Sequence, residues 1–209
     1  MIGQPYPRIT RSERLRLSVE EHFIAKLQAG TRGRIGLGSH RLTLGDQFTE
    51  DRDHLTRSWR AMLAINREEH AGPSRIWDVA ARAIQVLASE QGTRTLILIT
   101  DGYATGNRLT PDDVIGAARE HSVVIHVISF ALDREVLQRE GNSVFVRPNA
   151  ALRRIAEATG GEFLSQEEPQ ILRWGTSSGP WGWDQPSGRR WINPGEPLAE
   201  LMKRVQNPR

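Results

Sequence analysis

The sequence predicts an α/β fold, namely a doubly wound, mostly parallel sheet with one antiparallel edge hairpin and helices on both faces. Strand-like and helix-like segments alternate along the chain, which is typical of a parallel sheet. Residues 95–100 and 122–130 are short, nearly continuous apolar runs, and such runs indicate strands buried on both faces. Residues 34–39 and 41–46 are two strand-like segments with so few residues between them that a tight antiparallel hairpin is the natural connection.

The predicted helices show apolar residues at helical spacing. The first runs from Ser12, a residue type favoured at the N-cap, to Gly30. Further helices are predicted over residues 51–65, 76–87, 149–159 and 197–205, and residues 110–113 open another. Pro111 suits the first position of its helix, and Gly160 with Gly161 is a helix stop signal that precedes a final short strand over residues 162–165.

Composition limits the classes of function. The 209 residues are enough for one well-cored domain, and the net charge of +3 gives no strong basic field. No basic stripe with interleaved aromatic residues occurs before the tail, so we expect no nucleic-acid partner. The absence of cysteine excludes disulfides and thiolate metal sites. No apolar run approaches the ~20 residues of a membrane span, and the N-terminus as written does not have the pattern of a signal peptide.

The chain is predicted to divide into four parts. Residues 1–11 are an irregular segment, 12–168 the main domain, 169–196 a loop rich in Trp, Gly and Pro, and 197–209 a closing helix that packs on the domain. Tryptophans in the loop can form a recognition surface for a partner, with Trp181, Trp183 and Trp191 as candidate contacts. The alternative, and the commoner role, is that they hold a long loop against the domain.

Four motifs in order resemble those of a von Willebrand factor type A domain, over residues 12–165. Residues 99–102 (Ile-Thr-Asp-Gly) are similar to the strand-end Thr-Asp-Gly of that family, and residues 72–78 to its G-G-T-x-L-x-D segment. Residues 34–51 match its strand pair followed by Asp at a helix start, and residues 156–161 its A-x-x-T-G-G. The resemblance implies a Rossmann-like fold and a non-enzymatic, adhesion-type protein-binding function.

The resemblance also implies a metal-ion-dependent adhesion site at the carboxyl edge of the sheet. Carried over by matching position, Ser74 would supply a hydroxyl ligand and Asp101 a carboxylate. Mg²⁺ prefers such oxygen ligands in an octahedron, and one position is left for an acidic side chain of a protein partner. Asp78 also matches a family position, but we expect it to act as a favourable charge near a helix N-terminus.

The sequence departs from the family where the metal ligands should be densest. The family's D-x-S-x-S motif would fall at residues 5–9, which read Pro-Tyr-Pro-Arg-Ile, and no Asp precedes Asp46. The strand before this motif, central in the family's sheet, is missing as well. We therefore expect a chain truncated at its N-terminus or lacking the first strand, with an incomplete Mg²⁺ site that binds weakly.

Three functions remain open. The first is binding of a partner's acidic side chain at Ser74 and Asp101 with the help of Mg²⁺. The second is metal-independent scaffold binding through the tryptophan loop. A small hydrolase or phosphotransferase is less favoured, because no second acid, base or phosphate-binding loop is found and no catalytic residue can be named. His126, inside a strand, is expected to be a hydrogen-bonded core residue.

Overall fold

A computed structural model describes residues 11–64, 73–100, 102–129, 134–137, 143–146, 148–165 and 195–206. In chain order, its elements are α1 (Arg11–His22), a 3₁₀ turn (Ile24–Lys26), β1 (Gly36–Gly38), β2 (Leu42–Leu44), α2 (Arg52–Ala64), α3 (Ile76–Leu87), β3 (Arg94–Thr100), α4 (Pro111–Glu120), β4 (Val123–Ser129), β5 (Arg134–Leu137), β6 (Ser143–Val146), α5 (Pro148–Ala158), β7 (Phe163–Ser165) and α6 (Gly195–Gln206).

The central sheet is parallel and has the order β3-β4-β7 among the described strands. The register pairs Arg94 with Val123 and Thr100 with Ser129, and Ser129 pairs in turn with Ser165. All three strands therefore end at one carboxyl edge, where ligands bind in sheets of this kind. The predicted α/β class with a mostly parallel sheet is confirmed.

Helices cover both faces of this sheet, as predicted. Leu96 and Leu98 of β3 pack against a core cluster that contains residues of α3, α4 and α5. Ile97 and Ile99 point to the opposite face and pack against a cluster with residues of α1, α2 and α6. The alternation of side chains along a strand thus divides one apolar run between two cores.

The two longest strands differ in burial. Six of the seven residues of β4 are buried, as the sequence predicts, but all seven residues of β3 are only half-buried. The prediction that β3 is buried on both faces was therefore too strong. The reason is position, since β4 has a neighbour on each side whereas β3 has only β4 among the described strands.

The predicted hairpin forms between β1 and β2, with Gly36 opposite Leu44 and Gly38 opposite Leu42. Among the described residues it is a two-stranded sheet of its own, not hydrogen-bonded to β3. A second antiparallel hairpin, β5 with β6, was not predicted. The available signal was the Gly-Asn pair at 141–142 between two short apolar-containing segments.

Helix ends follow their local signals. The predicted first helix is divided, because α1 ends at His22 and a 3₁₀ turn follows. Asp51 caps α2, with its Oδ1 accepting hydrogen bonds from the Asp53 and His54 N–H groups. Thr110 and Asp113 form a capping box at the start of α4.

In the described part of the chain, no helix has the length and apolar character that crossing a membrane requires.

Candidate functional site

Of the residues proposed to bind a metal or a partner, the structure describes Ser74. It is half-buried in the short segment before α3. Asp101, the proposed carboxylate ligand, lies outside the described residues, as do Trp181, Trp183 and Trp191. The predicted pairing of Ser74 with Asp101 therefore stays a prediction.

Two hydrogen bonds join the segment before α3 to the loop that follows β3. The Ser74 N–H donates to Thr105 Oγ1 at 2.9 Å, and the Thr105 N–H donates to the Ser74 carbonyl at 2.8 Å. The turn of the β1–β2 hairpin joins them, because the Arg75 N–H donates to the Ser39 carbonyl at 2.9 Å. We call residues 73–75 together with 102–110 the edge surface, since the second segment follows the carboxyl end of β3.

Asp78 fixes the far end of this loop. Its carboxylate accepts hydrogen bonds from the backbone N–H groups of Arg108 at 3.0 Å and Leu109 at 2.9 Å. Its role is thus more specific than the favourable helix charge expected from the sequence. Asn107 completes the link, because its Oδ1 accepts the Trp77 N–H in the first turn of α3 at 2.8 Å. Sequence reasoning missed Asn107, which caps a helix thirty residues away.

Local backbone geometry shapes the same loop. The Gly102 N–H donates to Thr100 Oγ1 at 3.0 Å, and Gly102 has a φ of +73°, which favours glycine. Gly106 has a φ of +65°, and a β-carbon there would lie 2.8 Å from Pro73 Cβ. Close packing and hydrogen bonds therefore hold the edge surface in one arrangement.

The exposed chemistry of the edge surface is apolar and basic. Tyr103 and Leu109, each 36% exposed, are the exposed large hydrophobic residues of the described part of the chain, and both lie on this loop. Arg108 is exposed between them in sequence. Nε of the half-buried Arg75 is buried with no hydrogen-bond partner. Such a surface can contact a partner that has apolar and acidic groups.

The described residues do not by themselves fit a Mg²⁺ site. They contain no group of three or more His, Cys, Asp or Glu side chains that could hold a metal ion. The Asp78 carboxylate accepts hydrogen bonds from the loop backbone. Ser74 and Thr105 could then offer a metal only neutral hydroxyl oxygens. Because Mg²⁺ gives up its waters reluctantly, two hydroxyls hold it poorly.

Two buried polar side chains lie on the central strand β4. Ser129, fully buried at the carboxyl end of β4, donates its hydroxyl to Asn149 Oδ1 at 2.6 Å. His126 is a buried core residue, as predicted, and its Nδ1 accepts the Glu162 N–H at 2.9 Å. Burial lowers the pKa of His126, and the nearby Glu162 carboxylate opposes this effect.

Comparison with solved structures shows that the chain shares its overall fold with two Bacteroides proteins. The chain is similar to BatB, a conserved hypothetical protein from Bacteroides thetaiotaomicron, with 15% identity and a TM-score of 0.56 over 77% of this chain and 82% of that one. It is also similar to an aerotolerance-related membrane protein from Bacteroides fragilis, with 12% identity and a TM-score of 0.57 over 94% and 90%. No family model and no curated protein sequence matches the chain.

Proposed function

We propose that this chain is a von Willebrand factor A-like domain that binds a protein partner through its edge surface and catalyses no reaction. The fold shared with the two Bacteroides proteins and the four motifs support the family. The observation that carries the function is the exposure of Tyr103 and Leu109 on one loop that is fixed against α3.

A fixed loop suits binding because its ordering is already accomplished in the free protein. Asp78 and Asn107 hold the backbone of residues 107–109, and Thr105 holds the segment before α3. Binding then loses little loop entropy, so that exposed apolar contact translates into affinity. Arg108 adds a positive charge that favours a partner with an acidic group near its apolar contact.

We propose that the partner is a protein with an acidic side chain, as in the resemblance, and that its binding does not require a metal. We propose that Ser74 and Asp101 add at most weak Mg²⁺ binding. The Tyr103 and Leu109 contacts then operate with or without metal.

The test compares capture of partners by the wild type with capture by a Tyr103→Ala/Leu109→Ala double variant, using a lysate of the source organism. Arg82→Ala, on the exposed side of α3, is the matched control. We expect one partner to be retained by wild type and control, and calorimetry with that purified partner to show at least about tenfold weaker binding to the double variant. Equal affinity of the double variant and the wild type would overturn the proposal, as would detection of an enzymatic reaction at this surface.

A further inference from the structure

The side chain of Arg75 lies beside the loop that follows β3. The backbone of Arg75 is fixed, because its N–H donates to the Ser39 carbonyl at 2.9 Å and its carbonyl accepts the Val79 N–H at 2.9 Å. A β-carbon on Gly106 would lie 3.9 Å from Arg75 Nε, so the side chain extends from one segment of the edge surface to the other. The positive charge of Arg75 is therefore placed within the edge surface.

The guanidinium group of Arg75 has no hydrogen bond or ion pair with the part of the chain that the structure describes. Its Nε is buried, whereas its two terminal nitrogens keep access to solvent. Arginine is seldom buried without an anion beside it, and a buried N–H without a partner requires an explanation. Burial of Nε also restricts the direction of the two terminal nitrogens. Arg75 thus presents a pair of open N–H donors in a restricted orientation.

The aspartates that the structure describes in α3, in the loop after β3 and at the start of α4 already have partners. Asp78 accepts two backbone N–H groups of the loop. Asp112 pairs with Arg154 at 2.9 Å. Asp113 accepts the Thr110 N–H at 2.7 Å. None of these three carboxylates neutralises the guanidinium group, which leaves it available to an anion from outside the chain.

The donors of the edge surface fit a carboxylate better than a phosphate group. Four backbone N–H groups here donate within the protein, namely those of Ser74, Thr105, Arg108 and Leu109. A phosphate group has three strong acceptor oxygens and would need such donors, whereas the two oxygens of a carboxylate match the fork of one guanidinium group. We propose that Arg75 binds the acidic side chain of the protein partner directly, with no metal ion between them.

This inference rests on the proposed function, since it assigns one contact of the same partner to one residue. A guanidinium group is charged throughout the neutral pH range and needs no divalent ion, so the pairing should persist in the presence of a chelator. Tyr103 and Leu109 then supply apolar contact, and Arg75 supplies the selectivity for an acidic residue. Arg108 is exposed, so its charge mainly affects the association rate.

The test is an NMR titration that observes the Arg75 Nε–H group in the whole chain. The probes are two blocked peptides, Ser-Leu-Glu-Phe-Ser and the same sequence with Gln in place of Glu, each added in the presence of EDTA. We expect the Glu peptide to shift the Nε–H signal saturably and to bind at least about tenfold more tightly than the Gln peptide.

Two variants complete the titration. Arg75→Lys identifies the Nε–H signal by its loss, and it should reduce the preference for the Glu peptide because an ammonium group has no planar fork. Arg82→Lys, on the exposed side of α3, is the matched control and should keep the preference of the wild type.

Three results would overturn this inference. One is equal affinity of the wild type for the two peptides, or an Arg75 signal that neither peptide moves. Another is binding of the Glu peptide that EDTA abolishes and Mg²⁺ restores. The third is a shift of the Arg75 signal in Asp101→Asn without peptide that equals the shift caused by the Glu peptide, which would show that Asp101 already pairs with Arg75. The proposed function fails by a different result, namely unchanged partner affinity of the Tyr103→Ala/Leu109→Ala variant.

Discussion

A β-carbon on Gly161 would collide with the carbonyl group of Ile125, because the turn after α5 runs directly against the middle of β4. Thr159 strengthens the same contact, since its Oγ1 accepts the Ile125 N–H at 3.1 Å and donates to the Ile155 carbonyl at 2.9 Å. The Thr-Gly-Gly sequence that resembles a family motif thus has a physical explanation. It attaches the end of α5 to the central strand.

Gly161→Ala is expected to destabilise the fold by about 2–4 kcal/mol, since the obstacle is backbone that cannot rotate away. Gly116→Ala is the matched control, because a β-carbon on Gly116 in α4 meets nothing within 4 Å. Removing a helical glycine there should stabilise by up to about 1 kcal/mol. Denaturant unfolding measures both variants, and a neutral Gly161→Ala would contradict the close approach.

His126 makes the stability of the fold dependent on pH. Its pKa lies below the ordinary 6.5 in the folded chain, because burial disfavours the charged ring, so the unfolded chain binds the proton more readily. The contribution of neutral His126 to the free energy of unfolding should therefore be fully present above pH 6.5. It should decrease as the pH falls towards the pKa of the folded state. The slope from this group is at most about 1.4 kcal/mol per pH unit.

The measurement is denaturant unfolding between pH 7 and 5, with an NMR titration of the His126 ring. His126→Gln should lose this part of the pH dependence. Because Nδ1 accepts the Glu162 N–H, protonation of that nitrogen must break the bond that joins β4 to the start of β7. A ring that titrates at or above 6.5 in the folded protein would disprove this assignment.

Asp78→Ala is expected to release the loop after β3. The carboxylate accepts two backbone N–H groups, and their loss should cost about 1–3 kcal/mol and speed amide exchange at Arg108 and Leu109. Asp112→Ala is the control, since its side chain is 73% exposed and pairs with the exposed Arg154. That substitution should cost less than about 1 kcal/mol. Unchanged exchange in Asp78→Ala would show that other contacts fix the loop.

Short-range patterns predicted most of the fold. Continuous apolar runs identified β3 and β4, and the spacing of residues 34–46 identified the hairpin. The half-burial of β3 was not predictable, because it depends on which strand lies beside it and not on its own residues. The hydrogen-bonding roles of Asp78 and Asn107 were not predicted for a similar reason, since each side chain binds backbone about thirty residues away.

Deleting residues 174–191 distinguishes partner binding by the edge surface from partner binding by the tryptophan loop. These residues lie outside the described part of the chain, and their role as a recognition surface stays a prediction. If the edge surface binds the partner, the deletion variant should retain the partner affinity of the wild type in calorimetry. If the variant loses binding while its melting temperature is unchanged, partner binding would be assigned to Trp181, Trp183 and Trp191.

Mg²⁺ should bind this chain with a dissociation constant of about 1 mM or weaker, because one carboxylate and one or two hydroxyls replace too few of its waters. Calorimetric titration of Mg²⁺ into the wild type and into Asp101→Ala measures this directly. Ser74→Ala is a useful second variant, since the hydrogen bonds of Ser74 to Thr105 use only its backbone groups. Saturable micromolar binding in the wild type that both substitutions abolish would contradict the expectation. It would show that Ser74 and Asp101 form an effective site, and that partner binding must then be measured with metal present.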